Sequence, residues 1–510
     1  MLQQKQFPTS LAISMVMCAA LWLLAYPYYK YFIDADAVAY LTIAERVAKG
    51  DWSRSINGLW SPLGSWVLVP FLKAGQNGFA IAQFINLICA LAILPLWFFL
   101  AKKFVQKDLL LKCVTLALAP VLVYYSYLQV FGDLMQVCML LAYLHVCTQT
   151  NFIKSISLHI LAGAICGIAF YAKAYSFPFL ILHLAALHAW HWYHYKKINF
   201  IRAASSIIIC ILVMLPWSLT LSKKYSTFSL TGNSGKLNMS WYLLGHKEFK
   251  DSIKVLVPPT YDDSPSFWED PYPSQAQLHS PFESVEMLLV KWPPRIIYTC
   301  IVAVSCFSEI SSVLLIGILI ACLIYRKSKD AALAAITLAC LVMPLGYLAM
   351  HIETRYIWLS GLTGIILCLM VLQHLDYQKY KWALSIFFAL SMLVYPAYHM
   401  YQLRNKGKQN FELAQLFNQH NLQQCKFTGN AEDASDAWVI ALLSRSQFYT
   451  IDQFDYRAED LISDMKRYGI THYLYKAEND AITSKQFNGF DSEIVFQQGA
   501  YTMYALHPLQ

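Results

Sequence analysis

Two aspartates follow the first hydrophobic segment of the chain, in the stretch FIDADAVAY that runs from residue 32 to 40. Acidic side chains at an apolar boundary cost free energy unless another group binds or uses them, so their position points to a function. A carboxylate can act as the general base that takes a proton from a hydroxyl group. We therefore take Asp36 and Asp34 as candidate catalytic residues. The structural alternative is that both are solvated and cap the helix that follows.

The composition places most of the chain in a membrane. Of the 510 residues, 57% are hydrophobic and only 14% are charged, whereas soluble domains carry about 25% charged residues. A bilayer span needs roughly 20 mostly apolar residues. The hydrophobic segments predict eleven spans, near residues 11–29, 79–100, 110–127, 130–147, 156–172, 175–192, 203–221, 297–324, 332–350, 356–374 and 382–400.

The basic residues predict the orientation of these spans, because Lys and Arg in short loops mark the cytoplasmic side. With a cytoplasmic N-terminus, every predicted inner loop is basic. These loops account for much of the net charge of +8, so the charge requires no nucleic-acid partner. Their basic residues are Lys102, Lys103, Lys107, Lys112, Lys154, Lys196, Lys197, Arg202, Arg326, Lys327, Lys329, Lys379 and Lys381.

This topology places three larger pieces on the outer face: a loop at 30–78, a loop at 222–296 and the tail at 403–510. The first loop predicts an amphipathic helix at 41–49 that lies on the outer surface. In the tail, helix and strand patterns alternate. This predicts a small periplasmic α/β domain at 403–510 that follows a membrane domain at 1–402 in the chain. The tail helices are expected at 409–419, 433–445 and 457–468, and its strands at 426–428, 448–451, 470–475, 493–497 and 501–506.

The same topology brings Glu353 and Arg355, in a short outer turn, to the side of Asp34 and Asp36. One reaction that such residues could carry out at the outer face is transfer of a sugar from a lipid phosphate. It needs a base that takes the proton of the acceptor hydroxyl and a cation that stabilises the departing phosphate. Arg355 and Lys173, both at outer span ends, are candidates for the cation. Alternatively, Glu353 and Arg355 form a structural pair, and Lys173 only extends to the membrane interface, which is the interpretation that its position favours.

Aromatic and histidine residues gather at predicted membrane interfaces. The outer loop at 222–296 contains Trp241, Trp268 and Trp292, which we interpret as membrane anchors, with stacking on a sugar ring as the alternative. The histidines at 183, 188, 191 and 194 straddle the cytoplasmic end of a span beside aromatic residues, which favours an interfacial belt over a metal site. The sequence assigns no metal ligand and no cofactor, while a divalent metal ion at the aspartates stays an open alternative.

Several motifs together resemble the multi-spanning GT-C glycosyltransferases, a superfamily of membrane enzymes. Within it, the resemblance is closest to the bacterial branch related to protein O-mannosyltransferases and the lipid A aminoarabinose transferase. The first-loop pattern is the most specific of these motifs, and the others are scattered over most of the chain. They are Asp34-x-Asp36-x-x-x-Tyr40-Leu41-x-Ile43-Ala44, Gly50-Asp51-Trp52, Trp60-Ser61-Pro62-Leu63, Pro216-Trp217 and Glu353-x-Arg355-Tyr356.

The resemblance implies that a first-loop aspartate lies at the catalytic centre and that the donor is a polyprenyl-phosphate sugar. Counted back from Tyr40, Asp36 matches the family aspartate, and Ala37 stands where many relatives have Glu. Arg355 matches the family arginine, and we expect it to contact the donor phosphate. The full set of predicted substrate-binding residues is Arg355, Glu353, Tyr356, Lys173, Trp60 and Tyr40.

The sequence therefore predicts an inverting GT-C-type glycosyltransferase of the bacterial inner membrane. It would move a sugar from a polyprenyl phosphate to a lipid, polysaccharide or protein acceptor on the outer face. A transporter or flippase of lipid-linked glycans is the main alternative, and a non-catalytic assembly protein is another. Transporters tend to show two hydropathy halves and polar residues at mid-membrane, whereas the polar clusters of this chain lie at the outer span ends.

Overall fold

The computed structural model describes residues 8–128, 132–196, 200–244, 255–271, 278–374, 378–430, 434–451, 456–477, 487 and 489–509. At residues 244 and 378–382 it describes the backbone alone. Of the features predicted from the sequence, the link between the spans at 110–127 and 130–147 and the basic residue Lys197 lie outside these ranges.

Within the described ranges, eight helices are long and apolar enough to cross a membrane by length and composition. Three more of the predicted spans are also helices, namely Asp133–Cys147, Ile156–Ala172 and Ser176–Tyr195. The first two of these are shorter than a typical span, and the third ends in a polar and aromatic turn. The eight long helices are Thr9–Tyr29, Gly78–Ala101, Asp108–Leu128, Phe200–Tyr225, Met287–Ile310, Ala331–Ala349, Thr354–Gln373 and Ala383–Gln402.

The predicted span at 297–324 is not one helix. It consists of Trp292–Ile310 and Leu314–Tyr325, because Ser311 adopts an extended backbone with φ −163° and ψ 131°. The hydroxyl of this serine bonds locally to the backbone N–H of Val313, a type of contact that competes with helix formation. Both pieces pack along helix Trp358–Gln373, where a Cβ atom on Gly361 would overlap Ile310.

The first-loop helix runs from Ala35 to Ala48, so it begins earlier than the predicted start at residue 41. The predicted position on the outer surface is wrong, because its side chains are buried from Ala37 to Ala44. Asp34 does cap the helix, since its Oδ1 accepts the backbone N–H of Asp36 at 2.9 Å. Three short helices follow in the same loop, at Trp52–Ser55, Pro62–Trp66 and Val69–Lys73.

The tail folds as the predicted α/β unit. Its helices are Lys408–Gln419, Ser435–Ser444 and Ala458–Tyr468. A five-stranded mixed sheet has the spatial order Gln447–Phe448, Lys426–Gly429, His472–Lys476, Tyr501–Pro508 and Phe490–Gln498. The first three strands are parallel, and the last two join in antiparallel register, with Leu474 opposite Met503. The predicted strand at 448–451 is divided, because Thr450–Ile451 pairs instead with Leu256–Val257 of the outer loop.

One hydrophobic core joins the first loop, the second outer loop and the tail. It includes Ala39 and Ile43 of the first-loop helix, Phe267 of the outer loop, and Phe427 and Ile440 of the tail, all buried. A shared core of this kind fixes the relative positions of its parts, because close-packed interiors resist displacement. The two loops and the tail therefore share one core, while the division into domains at 1–402 and 403–510 stays a prediction.

Candidate active site

Arg355 stands at the centre of the acidic residues that the sequence singled out. Its Nη2 atom lies 2.6 Å from Oδ2 of Asp36 and 3.0 Å from Oε1 of Glu353. Its Nη1 atom is 3.6 Å from Oδ2 of Asp34. Only 7% of the arginine side chain is exposed, so the guanidinium is stable there because carboxylates surround it. The structure thus brings both predicted catalytic aspartates to the predicted outer turn.

Local backbone structure explains how these side chains meet. Asp34 is the N-cap of helix Ala35–Ala48, which places Asp36 in the first helical turn. Arg355 belongs to a 3₁₀ turn at Thr354–Ile357 that leads directly into helix Trp358–Gln373. The N-termini of helices Ala35–Ala48 and Trp358–Gln373 are therefore close together, and the charged residues of both lie at the same end of the helical bundle.

The charges in this cluster perturb two carboxyl groups in opposite directions. Burial and the neighbouring Asp36 carboxylate raise the pKa of Asp34 to about 6, against the attraction of Arg355. Burial also opposes ionisation of Glu353, but Arg355 and then His351 outweigh it and hold the pKa of that carboxyl well below its usual range. Glu353 is therefore a fixed negative charge, whereas Asp34 changes its charge near neutral pH.

A cavity of about 180 Å³ opens beside this cluster. Six of the eight predicted site residues line it, while Asp34 and Arg355 lie behind its wall. Its lining combines carboxylates, one lysine and many aromatic rings, a composition that suits a ligand with both polar and ring-shaped parts. The predicted residues in the lining are Asp36, Tyr40, Trp60, Lys173, Glu353 and Tyr356, and other members include Trp241, Trp268, Tyr175, Tyr347 and His351.

Lys173 points into the protein and not to the membrane interface, so the favoured sequence interpretation of this residue is wrong. Its Nζ atom lies 3.0 Å from Oδ1 of Asp133 and 4.4 Å from the ring centre of Tyr356. Asp133 is only 3% exposed and holds the lysine in place. Gly132 directly precedes Asp133 and has φ +77°. A Cβ atom there would overlap the carbonyl oxygen of Ala172, so this turn requires glycine.

Sequence reasoning missed Asp133, which begins a helix at the end of an apolar run. The signal was present, because an acidic residue at the edge of a predicted span is costly unless it is paired. The membrane-anchor interpretation is also wrong for two of the three tryptophans in the loop at 222–296. Trp241 and Trp268 line the cavity and stack on each other with centroids 5.4 Å apart, so they are not membrane anchors.

Two of the four histidines predicted to form an interfacial belt are buried in the helical bundle instead. His183 hydrogen-bonds Tyr143 at 2.7 Å and the carbonyl of Ala335 at 2.9 Å. The Nε2 atom of His188 lies 3.3 Å from that of His159. In the part of the chain that the structure describes, no group of three or more His, Cys, Asp or Glu residues is arranged to hold a metal ion.

The acidic cluster does not fit a divalent cation at its centre. Asp34, Asp36 and Glu353 converge on the guanidinium of Arg355, which already occupies the point where their charges meet. A dication at that point would have to displace a buried arginine, whose positive charge would then lose its partners. At this point the guanidinium of Arg355 is the cation that balances the three carboxylates.

Comparison with known proteins gives matches in structure alone. No family model and no curated protein matches the chain. ArnT from Cupriavidus metallidurans, bound to undecaprenyl phosphate, superposes with a TM-score of 0.58 at 11% identity, over 96% of this chain and 97% of that protein. Archaeal oligosaccharyltransferase AglB from Archaeoglobus fulgidus, in complex with an inhibitory peptide and a dolichol-phosphate, gives 0.55 at 10% identity, over 98% and 74%.

A further structure of the Archaeoglobus fulgidus oligosaccharyltransferase, in the apo form, gives a TM-score of 0.55 at 11% identity, over 93% of this chain and 70% of that one. These matches span both the helical bundle and the tail. The resemblance predicted from the motifs is thereby confirmed for the fold: the chain is a multi-pass membrane protein with the fold of the GT-C glycosyltransferases.

Proposed function

We propose that this protein is a glycosyltransferase that moves a sugar from a polyprenyl-phosphate donor to an acceptor on the outer face of the bacterial cytoplasmic membrane. The tail would then lie in the periplasm. The observation that carries the proposal is that Asp36, held by the buried Arg355, and Lys173 line the same cavity, because the reaction needs a base and a cation at one site.

Asp36 supplies the base in this proposal. It lines the cavity, and the acceptor hydroxyl there would give its proton to the carboxylate as its oxygen attacks the anomeric carbon of the sugar. The bond between that carbon and the phosphate oxygen breaks, and the polyprenyl phosphate leaves with both electrons. Attack opposite the leaving phosphate inverts the configuration at the anomeric carbon. Asp34 and Glu353 set the charge around the base.

Lys173 is the cation best placed to meet the leaving phosphate, because it lines the cavity. Arg355 lies behind the wall and is already held by carboxylates. A direct contact between Arg355 and the phosphate would have to replace one of these carboxylates. We therefore assign the phosphate contact to Lys173 and the orientation of Asp36 to Arg355, while Tyr40, Trp60 and Tyr356 shape the pocket.

The choice of donor is supported by the molecules bound to proteins of the same fold. ArnT binds undecaprenyl phosphate, and AglB binds a dolichol-phosphate. Both are long-chain lipid phosphates, and a polyprenyl-phosphate sugar is the activated donor that matches them. The acceptor in our proposal is a lipid, a polysaccharide or a protein at the same membrane face.

The direct test incubates purified protein in detergent with a radiolabelled polyprenyl-phosphate sugar and envelope acceptors, and measures transfer of label together with release of polyprenyl phosphate. We expect both products in equal amounts. A parallel experiment places the protein in vesicles and measures the movement of the intact donor between leaflets. Movement of the donor without its cleavage would contradict the proposal and support a flippase.

A further inference from the structure

Both carboxylate oxygens of Asp36 are held by side chains from other parts of the chain. Oδ2 accepts from Nη2 of Arg355 at 2.6 Å, and Oδ1 accepts from the indole N–H of Trp268 at 3.3 Å. Two donors on opposite oxygens fix the plane of a carboxylate, which a single donor would leave free to rotate. Trp268 lies in the outer loop, 232 residues from Asp36 along the chain.

The ring of Trp268 is held between two other tryptophans. Trp241 stacks on it with centroids 5.4 Å apart, and Trp438 stacks on it with centroids 5.2 Å apart, each at an interplanar angle of 18°. Aromatic pairs of this geometry contribute roughly 0.5–1.5 kcal/mol beyond the area they bury. The stack therefore restricts where the indole N–H of Trp268 can point.

Trp438 makes the C-terminal α/β unit part of this arrangement. It belongs to helix Ser435–Ser444, is only 9% exposed, and donates its own indole N–H to Oγ1 of Thr450 at 3.1 Å. Thr450 starts the short strand that pairs with the outer loop. The tail thus anchors one side of the stack in its own folded structure.

A buried ion pair next to Trp268 holds the backbone of the same segment. Glu269, 1% exposed, is paired with Arg46, and Nη2 of the arginine lies 3.0 Å from Oε2 of the glutamate. Arg46 stands in the last turn of the helix that begins beside Asp36. Ser264 also donates a hydrogen bond to Glu269, at 2.6 Å. The outer segment is therefore attached at both ends of the first-loop helix.

We propose that Trp268 is a positioning residue for Asp36, and that the C-terminal α/β unit supports the active site because its Trp438 holds Trp268 in place. This inference rests on the proposed function, in which Asp36 is the base. The indole N–H holds Oδ1 while Arg355 holds Oδ2, so the carboxylate keeps one orientation toward the acceptor. The tail contributes to turnover through the tryptophan stack, without a side chain of its own on the reacting atoms.

The first test is Trp268→Phe, which keeps a ring in the stack and removes the N–H donor. We expect kcat to fall about tenfold, the size expected for one hydrogen bond to a charged group, with KM for the donor changed less than about twofold. Trp292→Phe is the matched control, because it also removes a hydrogen-bonded indole N–H, which Trp292 donates to the carbonyl of Leu348, at a residue that does not line the cavity. It should keep kcat within about twofold of the wild type.

The second test asks whether the two tryptophans act through the same carboxylate. Trp438→Ala removes one face of the stack and should lower kcat. The double variant Trp438→Ala with Trp268→Phe should be no slower than the slower single variant, because coupled residues are not additive. Additive losses in kcat would show that Trp438 acts elsewhere and would overturn its assigned role. Trp438→Leu repeats the measurement if the alanine variant does not fold.

A readout without catalysis tests the contact itself. The 14 tryptophans of the chain give indole N–H signals in nitrogen-15 NMR spectra, and Trp268→Phe identifies one of them by its loss. We expect Asp36→Asn to shift that signal, since the charge on its acceptor is removed. An unchanged signal, or wild-type kcat in Trp268→Phe while Asp36→Asn is inactive, overturns the positioning role. Full activity of Asp36→Asn would instead overturn the proposed function.

Discussion

Arg355 donates from Nη2 to Oδ2 of Asp36 at 2.6 Å, across 319 residues of sequence. The contact joins the first outer loop to the turn before helix Trp358–Gln373, and it neutralises part of a buried acidic cluster. Partly buried carboxylates lose solvation, and a paired arginine offsets part of this cost. The same contact explains why two distant motifs of the sequence belong to one site.

Removal of the arginine should affect both folding and turnover. In Arg355→Ala, three carboxylates lose their shared cation. Loss of one partner of a buried ion pair lowers the free energy of unfolding, here by up to about 3 kcal/mol. We expect a lower thermal midpoint in detergent and at least a tenfold loss of transfer. Arg355→Lys should recover part of both, because the charge returns but the planar fork does not. Wild-type turnover in the alanine variant would show that the site does not use this residue.

Lys173 should govern donor affinity. Lys173→Met keeps the length of the side chain and removes the charge that lines the cavity, so KM for the polyprenyl-phosphate sugar should rise about tenfold with a smaller change in kcat. Lys49→Met is the control, because Lys49 is 75% exposed and forms a surface ion pair with Glu45, four residues earlier. Equal effects of the two substitutions would contradict a phosphate contact at Lys173.

Donor binding should depend on pH through Asp34. Its pKa of about 6 means that the carboxyl is neutral below that pH and charged above it. The charged groups near it are Asp36, Glu353 and Arg355, so ionisation of Asp34 adds one more negative charge behind the wall of the cavity that receives the donor phosphate in our proposal. Affinity for the donor, a phosphodiester whose own charge is constant in this range, should therefore weaken about tenfold as pH rises through 6.

Asp34→Asn should remove this step, and titration of donor binding between pH 5 and 8 measures it. Asp51→Asn serves as the control, since Asp51 pairs with Arg46 and Arg54 at the far end of the first-loop helix. A step that survives in Asp34→Asn belongs to another group.

The side of the membrane on which the site lies can be measured with fusions. A periplasmic reporter enzyme fused after residue 403 should be active, and one fused near Lys327 should be inactive, because every predicted inner loop is basic. A cytoplasmic reporter should give the opposite pattern. If the fusion after residue 403 is active only in the cytoplasm, the cavity faces the wrong side for a periplasmic acceptor.

Much of the fold follows from the sequence, because its signals are local. Apolar runs predicted the helical bundle, and alternating patterns in the tail predicted the helices and most strands of the α/β unit. The break at Ser311 escaped prediction because two serines in an apolar run do not by themselves end a helix. The burial of helix Ala35–Ala48 escaped as well, since it depends on packing by the outer loop and the tail, far away in sequence.

The candidate site was predictable where residue type alone restricts the chemistry. Asp34, Asp36 and Arg355 stood out as charges at apolar boundaries, and the structure brings them together. Lys173 was also a candidate, but its position favoured an interfacial lysine, and Trp268 was interpreted as a membrane anchor, because an interfacial tryptophan or lysine has a common structural explanation. Only the three-dimensional contacts to Asp36 and Asp133 separate that explanation from a role in the site.

The substitution Asp36→Asn tests the central claim most directly. It keeps the size of the side chain and removes the base, whose assistance is worth about 10²–10⁴-fold in rate. In the transfer assay with purified protein, we expect turnover to fall within that range, while the donor binds at least as tightly as to the wild type and the thermal midpoint falls less than in Arg355→Ala. Asp34→Asn should cost less. Transfer at the wild-type rate by the Asp36→Asn protein would contradict the account.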